Sequence, residues 1–383
     1  MTSIANPVRM AMVGGGPGAF IGPVHRMAAE LDGEIRLVAG AFSRDAEKSR
    51  AAGAAFGLGP ERAYADWREM IAAESARPDG AQMVCVVTPN HLHLPVARAA
   101  LEAGLHVMSD KPATATLAEA VELRKVVAAS RRLFGLTYTY TGYPMVREAR
   151  EIVRRGELGA VRKVVVEYSQ GWLANPVEKD PENRQAGWRT DPSQAGLGGC
   201  IGDIGVHAFN IAEFVSGRRI ERICADLSSI VPGRELDDDC NMLLRFEGGA
   251  PGVLVASQIA AGDRNGLRLR IYGETGGLDW SHERPSELVL NKLDGPSLTL
   301  HAGSPSLSAA SLSATRLPTG HPEGFIEAFA NIYRDFARAV AAGAPRTETV
   351  PDIVEGVRGM AFVESALASS KTGSAWISLK EFC

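Results

Sequence analysis

Over the first third of the chain, short apolar runs alternate with amphipathic stretches. VRMAMV (8–13), EIRLVAGAF (34–42), AQMVCVV (81–87), LHVMS (105–109) and LFGLTY (133–138) are continuous and rich in Val, Ile, Leu and Met, as in strands buried on both faces. Between them, residues 23–31, 45–56, 66–74, 92–103 and 116–130 have helical periodicity, several behind Asp or Thr caps. Strict alternation of the two predicts an α/β fold with a doubly wound parallel sheet. Past Thr137 the pattern changes. An amphipathic helix over 143–159 is followed by strand-like runs at 161–171, 220–231, 240–248, 252–260, 267–273 and 278–282, several alternating in polarity. That alternation predicts a large, mostly antiparallel sheet with one covered face. Helices over 322–341 and 353–369 close the chain, and 291–319, rich in Ser, Gly, Leu and Pro, reads as a long surface loop. The expected division is a Rossmann-type domain over 1–137 and a second domain over 138–383, with the C-terminal helices free to pack back on the first.

Length and composition narrow the classes. A chain of 383 residues is long enough for two cores. Lys+Arg number 41 against Asp+Glu 45, a net charge of -4 with no dense basic run, so no nucleic-acid partner is expected. Five widely spaced cysteines, Cys85, Cys200, Cys224, Cys240 and Cys383, form no CxxC pair and read as free thiols of a reducing compartment. With no signal-peptide pattern and no apolar run of the roughly 18 residues that a membrane helix needs, the expectation is a cytoplasmic protein without a membrane partner. No internal repeat is found.

The candidate chemistry lies in three places. Directly after the first strand, GGGPGAFIGPVH (14–25) turns from strand into helix, a setting in which backbone approaches a pyrophosphate and helical N–H groups bind it. Gly14 and Gly16 fit the first two positions of that fingerprint, and Gly22, three residues late, opens the helix, so a widened phosphate loop is expected. At the end of the second strand, Ser43 and Arg44 suit a 2′-phosphate, whereas Asp45 reads as a helix cap that could still turn toward a ribose; NAD and NADP both stay open. TPNHLH (88–93) and SDKP (109–112) lie at the C-terminal ends of strands, where open α/β sheets bind ligands, and Thr88, Asn90, His93 and Lys111 are candidate cofactor contacts. His91 and His93 lack a Cys or carboxylate cluster, so no metal is expected. The third place is GGCIGDIGVHAFNIAEF (198–214). Asp203 and His207 are four residues apart in what reads as the start of a helix, on one face, and can form a solvated ion pair, a satisfied core histidine or a catalytic pair.

With GGGPGAFIGPVH, TPNHLH, SDKP, GDIGVH and the tail GHPEGFIEAFANIYRDFA together, nearly the whole chain resembles the glucose-fructose oxidoreductase, inositol dehydrogenase and rhizopine-catabolism (Gfo/Idh/MocA) family. Within it the chain looks most like scyllo-inositol or levoglucosan-type dehydrogenases. The resemblance implies an N-terminal Rossmann domain, a C-terminal α/β domain with a large open sheet, and NAD(P)-dependent redox chemistry on sugars or polyols. It also implies a homodimer or homotetramer formed through the open sheets. Carried over, the family's motif lysine falls on Lys111, its aspartate on Asp203, its histidine on His207, its loop glycines on Gly14, Gly16 and Gly22, and its loop asparagine on Asn90. Ser43 and Arg44 stand where NAD-using members often place an acid.

On this reading His207 is the base for a secondary alcohol, since histidine titrates near pH 6.5. Asp203 holds a neighbouring hydroxyl, and Lys111 donates to the reacting oxygen in a cleft between the domains. Tyr140, Tyr143, Trp188 and Arg189 are candidate walls of the sugar pocket, and His321 a candidate cap of the 322–341 helix. Two alternatives share these motifs: a glycoside-cleaving enzyme that retains NAD without net redox change, and a non-catalytic cofactor sensor.

Overall fold

The computed structural model describes residues 4, 6–16, 18–347 and 349–379; Cys383 lies outside the described residues. The chain divides into two compact units, one formed by Met1–Tyr138 with Phe329–Val357 and the other by Thr139–Ala328 with Arg358–Cys383.

The first unit carries a parallel sheet of β1 (Val8–Gly14), β2 (Ile35–Ala41), β3 (Met83–Val87), β4 (His106–Ser109) and β5 (Phe134–Leu136), in the order β2-β1-β3-β4-β5. All five residues of β3 are buried, as a central strand covered on both faces requires. The connecting helices start where side chains satisfy the first backbone N–H groups. Asp45 accepts from the amides of Glu47 and Lys48, and Thr116 and Glu119 form a reciprocal capping box. In this strand order the direction of winding reverses between β1 and β3, so the crevice at their carboxyl ends is where a ligand binds in such sheets.

The second unit is built on nine strands: β6 (Lys163–Ser169), β7 (Ile220–Ser228), β8 (Asp239–Phe246), β9 (Pro251–Ser257), β10 (Gly266–Tyr272), β11 (Gly276–Ser281), β12 (Glu287–Lys292), β13 (Ser297–His301) and β14 (Ile377–Ser378). Their order is β13-β12-β11-β10-β6-β9-β8-β7-β14, and β6 with β9 is the parallel pair in an otherwise antiparallel ladder. Burial alternates along β8, where Cys240, Met242, Leu244 and Phe246 are buried and Asn241, Leu243 and Arg245 exposed. The helices Pro144–Arg154 and Val206–Ser216 pack on the inner face. In Val206–Ser216 every residue but Phe214 is buried, including the polar His207, Asn210, Glu213 and Ser216, so the helix is covered all round.

Two expectations are corrected. The 291–319 stretch is not one long loop: β13 and a short helix, Ala309–Ser313, fall within it. Their apolar residues are sparse, and β13 is largely exposed, so periodicity is weak there. His321 does not cap the C-terminal helix, which begins at Phe325; its Nδ1 lies 3.2 Å from the Pro318 carbonyl, while Glu327 accepts from the Gly324 amide at the helix start.

One polar cluster lies inside the first unit. His25 is fully buried, its Nδ1 2.6 Å from the Tyr333 hydroxyl and its Nε2 3.9 Å from the Asp110 carboxylate, with Cys85 Sγ 2.9 Å from the same hydroxyl. Burial alone would strip the proton from this ring, but the Cys85 sulfur and the Asp110 carboxylate outweigh it and lift the imidazole from 6.5 to about 9. Because the folded pKa lies above the unfolded one, the stabilisation is complete below about pH 6.5 and is lost as pH rises through about 9. Calorimetry should therefore show stability falling between those limits by on the order of 3 kcal/mol. The slope should largely vanish in His25→Gln, and an equal slope in that variant would refute the assignment.

Candidate functional site

In the first unit the glycine-rich loop forms by direct backbone contact. A Cβ on Gly22 would lie 2.3 Å from Gly15 Cα, one on Gly16 2.3 Å from the Phe42 carbonyl oxygen, and one on Gly14 2.5 Å from that of Val87. These contacts close the loop against β2, β3 and the following helix, so no larger side chain fits at the three positions. The first of these contacts pairs Gly22 with Gly15, a residue the fingerprint reading left out. The extra residues bulge outward, with nothing near the Gly18 Cβ position and Phe20 64% exposed, giving the widened loop expected from the spacing.

The neighbouring loops complete this half. Thr88, just after β3, has a buried hydroxyl with no hydrogen-bond partner among the described residues, and Asn90 is buried. An orphaned hydroxyl beside a glycine cradle at the β1/β3 crevice fits a dinucleotide, whose polar groups would satisfy it. Ser43 accepts from the Asp45 amide, Asp45 is occupied as a helix cap, and Arg44 is exposed beside them.

His93 corrects an expectation. It is 1% exposed, with Nδ1 2.7 Å from the Pro112 carbonyl and Nε2 2.9 Å from that of Thr88. Both ring nitrogens are committed to backbone, so it supports the loops instead of meeting a cofactor. Lys111 is half-buried at the end of β4. Its backbone N–H donates to Asp110 Oδ1 at 2.9 Å, and the Thr137 hydroxyl donates to the same oxygen at 2.9 Å. Burial would raise the Asp110 carboxyl, but His25, Lys111 and His93 hold it well below the usual carboxylate range.

In the second unit, Asp203 lies in a π-helical turn, Ile201–Gly205, that leads directly into the α-helix carrying His207. Such widened turns recur at functional sites. The entry to this turn is held by Asp237, whose carboxylate accepts from the Gly199 and Ile201 amides, each at 2.7 Å, while its carbonyl accepts from the Cys200 amide at 2.7 Å. A Cβ on Gly199 would lie 2.2 Å from the Asp237 carbonyl oxygen, which explains the small residue there. Burial pushes the Asp237 carboxyl up to about 6, against the pull of its two amide donors.

Asp203 Oδ2 accepts from Gln258 Nε2 at 2.8 Å and lies 3.3 Å from Arg189 Nε. The Arg189 guanidinium lies 4.3 Å from the Trp188 ring and 5.9 Å from that of Trp172, so Trp188, Arg189 and Asp203 form one connected surface, with Trp172 at its exposed edge. His207 is 9% exposed, and its ring meets Tyr140 edge-on with centroids 4.9 Å apart. Behind it runs a polar network. The Tyr140 and Tyr168 hydroxyls are hydrogen-bonded, Tyr168 donates to Asn265 Oδ1 at 2.7 Å, and Asn265 Nδ2 lies 3.2 Å from His282 Nδ1. Tyr143, 1% exposed, packs on Trp280 with its hydroxyl 3.0 Å from His282 Nε2, so it supports His282 and is not a pocket wall. Burial raises Tyr140, Tyr143 and Tyr168 and lowers His282, which keeps the network neutral.

Tyr168, Gln170, Trp172, Gln258, Asn265 and His282 escaped the sequence reading. A signal existed for two of them: a Ser-Gln pair closes both members of the parallel pair, Ser169-Gln170 after β6 and Ser257-Gln258 after β9, with Ser169 and Ser257 in register. Among the described residues no group of three or more His, Cys, Asp or Glu is arranged to hold a metal, and no helix is long and apolar enough to cross a membrane.

Two family models match. One, described as an oxidoreductase family with an NAD-binding Rossmann fold, covers residues 8–138, and the other, the GFO/IDH/MocA C-terminal domain, covers 146–279. The chain is 34% identical to an uncharacterized oxidoreductase, YfiI, of Bacillus subtilis, over 98% of each chain. It is 27% identical to levoglucosan dehydrogenase of Pseudarthrobacter phenanthrenivorans, again over 98% of each. An inositol dehydrogenase homolog from Azotobacter vinelandii, in a crystal structure with NADH and myo-inositol, is 37% identical over 98% of each chain with a TM-score of 0.91. The chain therefore belongs to the Gfo/Idh/MocA oxidoreductase family, with an NAD-binding Rossmann domain followed by the family's C-terminal domain.

Proposed function

We propose that this protein is an NAD(P)-dependent dehydrogenase that oxidises a secondary alcohol of a cyclic polyol, sugar or anhydrosugar. The observation that carries the reading is Asp203, fixed by Gln258 and Arg189 one turn before His207, whose ring packs on Tyr140 in a network of hydroxyl, amide and imidazole groups. A fixed carboxylate with polar neighbours suits a ligand rich in hydroxyls, and the names of relatives acting on inositol and levoglucosan point the same way.

The nicotinamide cofactor supplies the acceptor for the carbinol hydride. Gly14, Gly16 and Gly22 would receive its pyrophosphate, Thr88 and Asn90 would serve its nicotinamide end, and Ser43 with Arg44 would meet the adenine ribose. His207 takes the hydroxyl proton as the carbonyl forms and returns it in the reverse direction. Asp203 accepts a hydrogen bond from a neighbouring hydroxyl and fixes which carbon is presented. Lys111 donates to the reacting oxygen and stabilises its alkoxide character. Trp188 and Arg189, with Trp172 beside them, offer a stacking wall for a sugar ring.

His207→Ala should lower kcat by at least about a hundredfold while NADH still binds, as the loss of a general base predicts; undiminished polyol oxidation by the variant would sink the assignment. Steady NADH or NADPH formation from a panel of inositols, aldoses and anhydrosugars tests the reaction class, and turnover of a glycoside without net reduced cofactor would replace it. Gly22→Val should abolish cofactor binding, read by NADH fluorescence, because its Cβ alone would lie 2.3 Å from Gly15 Cα. Retention of wild-type affinity would show that the loop does not carry the cofactor.

A further inference from the structure

His93 is held between two backbone carbonyls. The Pro112 oxygen lies 2.7 Å from Nδ1 and the Thr88 oxygen 2.9 Å from Nε2, in an environment closed to solvent. A neutral imidazole has one N–H and one bare lone pair, so it can donate to one of these oxygens and must turn a lone pair on the other. Rotating the ring by half a turn does not help, since it brings carbon atoms to both positions. Only the imidazolium, with a donor on each nitrogen, satisfies both contacts.

We propose that His93 is a positioning residue that carries a proton on both ring nitrogens and, as an imidazolium, staples the loop after β3 to the Lys111-Pro112 segment, thereby fixing the backbone from which Lys111 works. Its kinetic consequence rests on the catalytic role proposed for Lys111; its protonation does not. The charges that act on the ring are those of Asp110 and Lys111. Burial, the largest influence, and Lys111 oppose the proton and draw the ring below its ordinary value, against the pull of Asp110 and the two carbonyls; it is the pair of acceptors, one on each ring nitrogen, that calls for the second proton. Asp110, whose Oδ1 is fixed by the Lys111 amide and the Thr137 hydroxyl, supplies the opposite charge. The staple spans the carboxyl ends of β3 and β4, the strands whose loops hold Thr88 and Asn90 on one side and Lys111 on the other. Loss of one of its two hydrogen bonds would free Pro112 or Thr88, and a displacement of reacting groups by about 1 Å can slow turnover about a hundredfold.

The full-length protein labelled with 15N-histidine reads the proposal directly. At about pH 8, above the ordinary histidine pKa of about 6.5, the imidazole signal that disappears in His93→Gln should show two protonated nitrogens. One protonated and one bare nitrogen would overturn the proposal. Should His93→Gln not fold, substitution of the other histidines assigns the signal by elimination. The kinetic arm is a double-mutant cycle with saturating cofactor and the best substrate of the panel. His93→Gln should lower kcat about tenfold or more in the wild-type background and leave it nearly unchanged in Lys111→Ala, as coupled residues do. The same loss in both backgrounds would show that His93 does not act through Lys111. A protein that oxidises no substrate of the panel refutes the dehydrogenase reading, and the nitrogen spectrum still decides the state of His93.

Discussion

Where a parallel strand ends, the chain leaves the ladder while it is still inside the protein, and its last carbonyl and amide groups must find partners other than water. This constraint organises both halves of the molecule. At the end of β3 and just past β4, the carbonyls of Thr88 and Pro112 are met by His93, and Asp110 collects the Lys111 amide and the Thr137 hydroxyl. In the second unit the parallel pair β6 and β9 ends in Gln170 and Gln258; Gln170 donates its backbone amide to the Ser257 carbonyl, and Gln258 turns its side chain to Asp203. The residues that satisfy the strand ends are also those that set the positions of the candidate catalytic groups.

The same economy appears at the helix of Asp203 and His207. A helix that begins inside a protein exposes backbone N–H groups with no partner of their own. Here Asp237, from a separate loop, accepts two of them, and the π-helical turn that follows carries Asp203 into reach of Gln258 and Arg189. Asp203 and His207 are therefore more than a surface ion pair at helical spacing: the carboxylate is held by two side chains and the imidazole packs against Tyr140. Tyr140, Tyr168, Asn265, His282 and Tyr143 form a continuous neutral network behind that ring, which limits how it can turn.

Much of this was legible beforehand. The five strands of the first sheet and their helices follow from runs such as MVCVV, whose burial on both faces demands unbroken apolar sequence, and from caps such as Asp45 and Thr116 that act within four residues of chain. The glycine loop was legible because a strand, a glycine turn and a helix are contiguous in sequence, although Gly15, which packs on Gly22, was not, since its partner is set by how the loop folds back. β13 and the Ala309–Ser313 helix were missed because they are held mainly by ladder and cap hydrogen bonds, which leave little hydrophobic pattern. His93 and Tyr143 looked like ligand contacts by residue type and by neighbourhood. Their burial against backbone and His282 depends on residues up to 139 positions away.

The sequence by itself determined the alternation of strands and helices and the glycine-rich turn after β1, because periodicity, turns and caps are local properties of the chain, while the grouping of Lys111, Asp203 and His207 is what the resemblance to the family implies. Only the tertiary structure decided that Asp237 holds the entry to the Asp203 helix, that Gln258 and Arg189 hold its carboxylate, and that His93 lies between two carbonyls. Each of these is a hydrogen bond or ion pair whose partners are brought together by strand order and helix packing. A buried polar group must be satisfied, but which residue satisfies it is set by proximity in the fold, and no spacing along the chain encodes that.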